Sequence, residues 1–433
     1  MAVYGGEGFM AEGAAALSEP QTSQARRVMQ AGAATPGALV EARGDARVNL
    51  LGLARAELEG FCAQLGSRPF RARQLMSWIY KRGCDRFADM SDLARAFRAE
   101  LAERATIAVP RILATQRAAD GTCKWLLAGG ADQAFEMVYI PEPDRGTLCI
   151  SSQVGCALDC AFCSTAQQGF NRNLSTAEIV GQVWLAHREL GGGERDGGVR
   201  PVSNVVLMGM GEPLANYRNV LPALRIFLDD LGFDLSRRRV TLSTSGLVPQ
   251  IYRLAQDINV ALAVSLHAPD DALRSELVPI NRLHPIAELL CACWHYIDEQ
   301  NGRSVTFEYV MLEGVNDSPA QARTLARLLA GHPAKVNLIP FNPFAGTRFR
   351  RSSEQAIARF RDELIRGGVI ATVRRTRGED IDAACGQLVG RVRDRTVVRL
   401  GSKMAAATRR RAAAHGAVRA SAPGGTTPRS SGA

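Results

Sequence analysis

Residues Thr147 to Phe170 read TLCISSQVGCALDCAFCSTAQQGF and hold four of the ten cysteines of the chain. Three of them, Cys156, Cys160 and Cys163, follow the spacing C-x3-C-x2-C. A cubane iron-sulfur cluster is normally closed by four thiolates, so a loop offering three leaves one iron open to an outside ligand. The same cysteines can also be read as a zinc loop or as buried thiols. Zinc sites usually pair two Cys/His hooks to reach four ligands, and no second hook follows this one.

Around that stretch the 433-residue chain has room for more than one domain, and 46% hydrophobic with 22% charged residues suits a globular protein. The chain contains no apolar run long enough to span a bilayer, and its start lacks the basic-then-apolar order of a secretory signal. The expectation is a cytoplasmic protein without membrane contact, in a compartment reducing enough to keep thiols available for metal. The net charge is +10, and it falls to +4 without Lys403, Arg409, Arg410, Arg411, Arg419 and Arg429. That balance permits an RNA partner without requiring one. Residues 1–46 read as a disordered N-terminal extension and 401–433 as a basic disordered tail, both lacking periodicity.

Residues 47–107 form a helical accessory domain by pattern. Leu58, Phe61, Cys62 and Leu65 recur at helical spacing, Gly66 stops that helix, and Pro69-Phe70 opens the next. Arg68, Arg71, Arg73, Lys81 and Arg82 read as a solvated face, with phosphate contact as the alternative. Residues 108–146 carry short strand-like segments broken by Asp120-Gly121 and Gly129-Gly130, a β-hairpin leading into the core. From 147 to 400 strand and helix signals alternate. Six apolar runs, LCISSQV, SNVVLMG, RRVTLSTS, NVALAVSLH, VTFEYVML and KVNLIPFN, predict buried parallel strands. Helix starts are predicted from the capping boxes Ser175-x-x-Glu178 and Ser352-x-x-Gln355, and from Ser318-Pro319 with Gly331 past the end. After the sixth run a helix near Glu354 to Arg366 and a strand VIATVRRT lead into RGEDIDAACGQLVG, and six units are too few for a closed eight-fold barrel.

Polar residues gather at the strand ends. Met208 to Pro213 reads MGMGEP, with Gly211 and Glu212 after the second strand. Ser243 lies in TLSTSG, Ser265, Leu266 and His267 in AVSLHAP, and Asn342 in PFNP. Each is ordinary alone, but their shared position at one end of the strands suits the binding of a polar cofactor. The cysteine triplet together with these turns resembles the radical S-adenosylmethionine (SAM) superfamily. That resemblance implies an α/β fold with an open partial (β/α)6 barrel. It also implies a [4Fe-4S] cluster held by Cys156, Cys160 and Cys163, with SAM on the open iron and contacted at Gly211, Glu212, Ser243, Ser265, Leu266, His267 and Asn342.

A narrower resemblance rests on QVGCALDCAFCSTAQQGFNRNL, VVLMGMGEPLANY, RRVTLSTSG, SLHAPDD, PINRL, LIPFNPF, RGEDIDAACGQL and PFRARQLMSWIY. Together, over roughly residues 48–396, these resemble the RlmN/Cfr family of radical SAM RNA methyltransferases. The family implies methylation of one adenine of 23S rRNA and, in the RlmN branch, of the adenine 3′ of the anticodon in some tRNAs. CSTAQQGFNRNL is similar to the C2-methylating RlmN branch; the C8-methylating Cfr branch is the alternative.

By the same resemblance, Cys385 takes a methyl group from one SAM as a thiolate, a second SAM supplies the radical, and Cys149 releases the product by attacking the Cys385 sulfur, leaving a disulfide. Glu136 resembles the proton acceptor at C2, although an exposed hairpin glutamate needs no function. The family implies a monomer, two SAM per turnover and a reducing partner such as flavodoxin. Cys62, Cys84, Cys123, Cys291 and Cys293 match no motif and read as structural. Two rivals stand beside this reading. A radical SAM enzyme acting on a small molecule would not need Cys149 and Cys385, and a zinc-dependent nucleic-acid-binding module would hold one zinc and no SAM.

Overall fold

The computed structural model describes residues 47–191, 201–300 and 304–396. The expectations of disorder at 1–46 and 401–433 lie outside those residues. Helix α1 (Arg55–Gln64) buries Leu58, Phe61 and Cys62 on one face, and the carboxylate of Glu57 accepts the Ala54 N–H at its start. The chain leaves that helix through Gly66 at φ +65, a left-handed value that a side chain would disfavour. Helix α2 (Phe70–Met76) starts after Pro69 and widens into a π-turn over Ser77–Lys81. Helix α3 (Arg95–Arg104) completes this region, and a two-residue parallel bridge, Val48–Asn49 with Ala105–Thr106, ties its ends together. Arg68, Arg73 and Arg82 are exposed, and Arg82 lies 4.1 Å from the Trp78 ring.

The core is one ten-stranded sheet. Strands β1 (Ile112–Arg117), β2 (Cys123–Ala128), β3 (Ala134–Glu142) and β4 (Arg145–Cys149) form an antiparallel meander. Then β5 (Asn204–Leu207), β6 (Val240–Thr244), β7 (Ala261–Ser265), β8 (Val305–Met311), β9 (Ala334–Pro340) and β10 (Ile370–Val373) follow β4 in parallel, each beside its predecessor. The alternation of apolar strands and amphipathic helices produces the partial barrel that the strand runs predict. Two details differ from the sequence reading. LCISSQV is not one strand: β4 stops at Cys149, and Gln153–Gly155 turns away to pair with Phe170–Asn173. A seventh parallel strand, β10, pairs Leu338 with Val373 and extends the barrel by one unit. The strands of residues 108–146, read as a hairpin leading into the core, run as a meander into the same sheet.

The connecting helices are α4 (Thr176–Glu189), α5 (Tyr217–Leu228), α6 (Val248–Asp257), α7 (Ile286–Glu299), α8 (Pro319–Leu329) and α9 (Glu354–Arg366). Ser175 and Glu178 form the predicted capping box, and Ser318 with Gln321 forms another ahead of Pro319. At α9 the cap is Ser353, one residue later than predicted, whereas Ser352 is buried and donates its hydroxyl to Asp317 at 2.7 Å. The indole N–H of Trp184 in α4 donates to the Ile79 carbonyl at 2.8 Å, seating the N-terminal helices against the barrel wall. Among the described residues no helix is long and apolar enough to cross a membrane.

After β10 the chain folds back over the open end of the barrel. The N–H and C=O of Ala134 both bond to Arg391, at 2.9 and 3.0 Å. Ser164 donates its N–H to Gly386 at 2.8 Å, and Thr165 its hydroxyl to Leu388 at 2.8 Å. These bonds tie residues 384–396 to β3 on one side and to the cysteine loop on the other.

Candidate active site

The cysteine loop begins where the short strand ends at Gly155, whose φ of +79 and missing side chain both matter. A Cβ there would meet the Gly169 carbonyl oxygen at 2.0 Å. Cys156 donates its N–H to that same carbonyl at 2.8 Å, and Ala161 donates to Leu277 at 3.0 Å, so both ends of the loop are pinned. Cys160 is buried and Cys156 and Cys163 are half-buried; burial raises the pKa of all three, and charge repulsion adds to it, from Cys156 and Cys163 on Cys160, from Cys163 on Cys156 and from Cys385 on Cys163. Backbone N–H groups of Thr165 and Ala166, at the start of the turn Ser164–Gln167, face the Cys163 sulfur. Among the described residues no three His, Cys, Asp or Glu side chains converge tightly enough to hold one metal ion. Three thiols on one short loop, with no fourth, are a donor set that fits a polynuclear cluster with one open iron.

Around the loop stand the other candidates, all at or just beyond the C-terminal ends of the parallel strands. Gly211 has φ +97, and a Cβ there would lie 2.5 Å from Gln153. Glu212 is buried. Its Oε1 accepts the Leu214 N–H at 3.0 Å and its Oε2 the Ser245 N–H at 2.8 Å, while burial raises its pKa to about 7. A carboxyl poised there ionises readily against an ammonium group. Ser243 is half-buried on β6, and Ser265 and Leu266 follow at the end of β7.

His267 has φ +60, a conformation that costs a non-glycine residue energy and is held here from several sides. Its Nδ1 accepts the Val310 N–H at 3.0 Å, and its carbonyl accepts from Asn316 Nδ2 at 2.8 Å. The ring packs edge-on against Phe162 of the cysteine loop at 4.5 Å, and burial pulls its pKa down to about 3, so it is neutral. Asn342 is 4% exposed, and its buried side-chain oxygen has no hydrogen-bond partner. Such an orphan is costly unless a ligand satisfies it, which fits the SAM contact that the sequence suggested.

Cys149 ends β4, opposite Val138 on β3 and Val206 on β5. Cys385 comes from the folded-back segment. Both line one cavity with Cys163, Thr165, Met208 and Arg374. All ten cysteines are free thiols, so the disulfide keyed to the resemblance is absent from this structure. Burial, followed by the charge of Cys385, pushes the Cys149 thiol up to about 12. Glu136 is not the exposed hairpin residue that the sequence suggested. It is 6% exposed, lies 3.5 Å from Lys124 Nζ, and accepts the Val389 N–H at 2.9 Å, and burial raises its pKa. The strand is covered by a segment distant in sequence, which local pattern cannot show. Cys291, which the sequence reading took as structural, is by contrast exposed.

Three charged residues escaped the sequence reading. Arg274 is fully buried, and its guanidinium donates to the carbonyls of Leu266, Ser245 and Ser265 at 2.8–3.1 Å and to Asn281 Oδ1 at 2.8 Å. It thus joins the ends of β6 and β7 to the PINRL motif. Burial pulls its pKa down to about 10, where it is still charged at neutral pH. Arg374, at the end of β10, has its pKa raised first by the charge of Cys385 and then, with burial opposing, by Glu308 and Cys149. Glu308 is buried on β8, with Asn337 donating to it at 2.8 Å.

Two family profiles match this chain. One is described as the ribosomal RNA large subunit methyltransferase N-terminal domain, over residues 48–107, and the other as the radical SAM superfamily, over 150–325. A radical SAM methyltransferase from Sphaerobacter thermophilus is 46% identical, with a TM-score of 0.73, and the match covers 79% of this chain and 99% of that one. More distant likenesses include a domain of a pyruvate-formate lyase-activating enzyme from Bacteroides vulgatus, 20% identical with a TM-score of 0.30 over 40% of this chain and 99% of that one. SuiB of Streptococcus suis bound to S-adenosylmethionine is 14% identical with a TM-score of 0.39, over 55% of each chain.

Proposed function

The chain belongs to the RlmN-like family of radical SAM methyltransferases, and from that premise we propose that it methylates C2 of a specific adenine in 23S rRNA and of the adenine 3′ of the anticodon in some tRNAs. The observation that carries this reading is that Cys149 and Cys385 line one cavity with Cys163 of the cluster loop. A radical SAM enzyme that used no protein-bound methyl carrier would have no need for two further thiols there.

Cys156, Cys160 and Cys163 would hold a [4Fe-4S] cluster, and Gly211, Glu212, Ser243, Ser265, Leu266, His267 and Asn342 would surround the SAM beside it. When bound, the cluster with its SAM supplies a hydrogen-abstracting radical. The chain's own residues do the rest. Cys385 as thiolate takes the methyl group of one SAM sulfonium, releasing S-adenosylhomocysteine, in the cavity that Arg374 also lines. The methyl carbon on Cys385, activated by loss of a hydrogen atom, would bond to adenine C2 as a radical, and the adduct would give up one electron to the bound cluster together with the C2 proton. Glu136, whose raised pKa suits a base, takes the C2 proton. Cys149 as thiolate then attacks the Cys385 sulfur, so the bond between sulfur and the transferred carbon breaks as the sulfur–sulfur bond forms, and the released CH2 carbon keeps the electron pair and takes up a proton to become the product methyl group. Two SAM are used per turnover, with a flavodoxin-like reductant, in a cytoplasmic monomer.

The test is nucleoside mass spectrometry of RNA from cells lacking this protein and from RNA treated with the reconstituted enzyme. Loss of 2-methyladenosine in the first and its appearance in the second supports the proposal. Appearance of 8-methyladenosine instead would move the chain to the C8 branch, and no methylated adenine would refute both.

A further inference from the structure

Next to the cysteine loop lies a buried positive charge that no carboxylate among the described residues pairs with. Arg274 sits on the short helix Asp271–Leu277, and that helix holds the loop directly, since its Leu277 carbonyl accepts the Ala161 N–H at 3.0 Å. The side chain is fully buried, and the hydrogen bonds of its guanidinium all go to neutral oxygens, the carbonyls of Ser245, Ser265 and Leu266 and Oδ1 of Asn281. The neighbouring acid is engaged elsewhere. Asp271 Oδ1 accepts from Asn281 Nδ2 at 2.9 Å and from the Ile286 N–H at 2.8 Å. The uncancelled charge is felt around it: burial first, and then Arg274, pulls the pKa of His267 down, and the same two causes, with Glu288 opposing, lower that of His284.

An isolated cation in the interior, where charge is weakly screened, is costly unless an anion comes to face it. The path from Arg274 to such an anion is short. The Ser245 carbonyl accepts from Arg274 Nη2 at 2.8 Å, and the Ser245 hydroxyl is hydrogen-bonded to the Cys160 sulfur. Burial pulls the Arg274 pKa down, and the strongest charge opposing that pull is the Cys160 thiolate. Net charge, hydrogen bonds to the sulfurs and exposure set the potential of an iron-sulfur cluster. A cluster on three thiolates is already anionic, and the electron it takes from the flavodoxin-like reductant adds one more negative charge before passing to the SAM sulfonium and breaking its carbon–sulfur bond. We infer that Arg274 is the built-in counter-charge of that cluster, a positioning residue that acts through Ser245 and Cys160 to raise the reduction potential and ease the entry of the electron. The inference rests on the cluster reading above and adds what sets its redox poise.

The experiment titrates the reconstituted full chain, without SAM or RNA, against redox potential and follows the reduced cluster by electron paramagnetic resonance. The proteins are the wild type, Arg274→Lys, Arg274→Met and Asn281→Asp, with iron content and melting temperature measured alongside. Loss of the charge in Arg274→Met should lower the reduced-to-oxidised ratio at a fixed potential on the order of tenfold, a midpoint shift of about 59 mV for one electron. Arg274→Lys keeps the charge without the planar fork, so it should melt lower than the wild type while its midpoint stays near the wild-type value. Asn281→Asp leaves the guanidinium in place and sets a carboxylate against it, so its midpoint should move in the same direction as that of Arg274→Met, and it decides the matter if the methionine variant does not fold. A purely structural arginine would change melting temperature and iron content and leave the midpoint of every iron-loaded variant at the wild-type value. That result would overturn the inference and leave the cluster reading standing. A wild type that takes up no iron would overturn both.

Discussion

Val389 donates its backbone N–H to Oε2 of Glu136 at 2.9 Å, so the segment that brings Cys385 over the barrel is fastened to the strand that neighbours Cys149. The same carboxylate faces the ammonium of Lys124, itself 7% exposed. Removing one member of a buried ion pair leaves the other charged and unsatisfied, at a cost of about 3 kcal/mol or more. Glu136→Ala should therefore lower the melting temperature and speed alkylation of Cys385 by a small maleimide. Glu136→Gln keeps an acceptor for Val389 and should show the first effect with little of the second. Unaltered Cys385 labelling in the alanine variant would show that the segment is held by its other bonds alone.

The two active-site thiols separate by role. Cys385→Ala should take up no methyl group and leave RNA unmodified. Cys149→Ala should still load methyl and still attack the base, then stall as a covalent RNA adduct that maps to Cys385. The check is a nuclease-sensitive shift on a denaturing gel. A Cys149→Ala enzyme that turns over fully without adduct would remove Cys149 from the mechanism.

Burial holds the Cys149 thiol at about 12, above its ordinary value of 9.0. Only the thiolate is alkylated, so its rate should rise about tenfold per pH unit up to and beyond pH 9. The exposed Cys291 should label first. Peptide mapping after iodoacetamide pulses at several pH values reads this directly. A plateau for Cys149 near pH 8 would place an unseen thiolate-stabilising group beside it.

His267 has its pKa lowered by burial, so the unfolded chain takes up its proton near pH 6.5 while the fold does so only near 3. The folded state thus loses stability as pH falls through that window. Glu212, raised to about 7, works in the opposite direction over part of the same range, so the effect must be read as a difference. Between pH 6.5 and 5 the stability gap between wild type and His267→Asn should shrink by about 2 kcal/mol, measured by urea unfolding at each pH. A gap that stays constant would mean that the imidazole is protonated in the fold.

What was legible in the sequence was what local spacing encodes. The cysteine triplet, the MGMGEP turn and six of the parallel strands repeat a short-range pattern whose physical meaning is local. The seventh strand was missed as part of the barrel because four residues, with Ile370 and Val373 exposed, lack the apolar run of a buried parallel strand. The cap at α9 was misplaced because two serines stand side by side and only tertiary contact, the bond to Asp317, decides which one turns inward. Arg274 was invisible for another reason. A cation buried against carbonyl oxygens leaves no partner of opposite charge in the chain, and its ligands come from three separate strand ends and motifs. Glu136 belongs to the same class, since its burial depends on a segment that arrives more than two hundred residues later.

The folded-back segment also bears on how the molecule comes into being. A ribosome releases Cys149 and the three loop cysteines well before Cys385, and the bonds from Ser164 to Gly386 and from Thr165 to Leu388 cannot exist until then. A growing chain can therefore present the thiols of the loop while Cys385 is still unmade. Among the described residues the last stretch to emerge is the one that folds over the mouth, so a chain cut short before residue 384 would be left with an open loop and without Cys385.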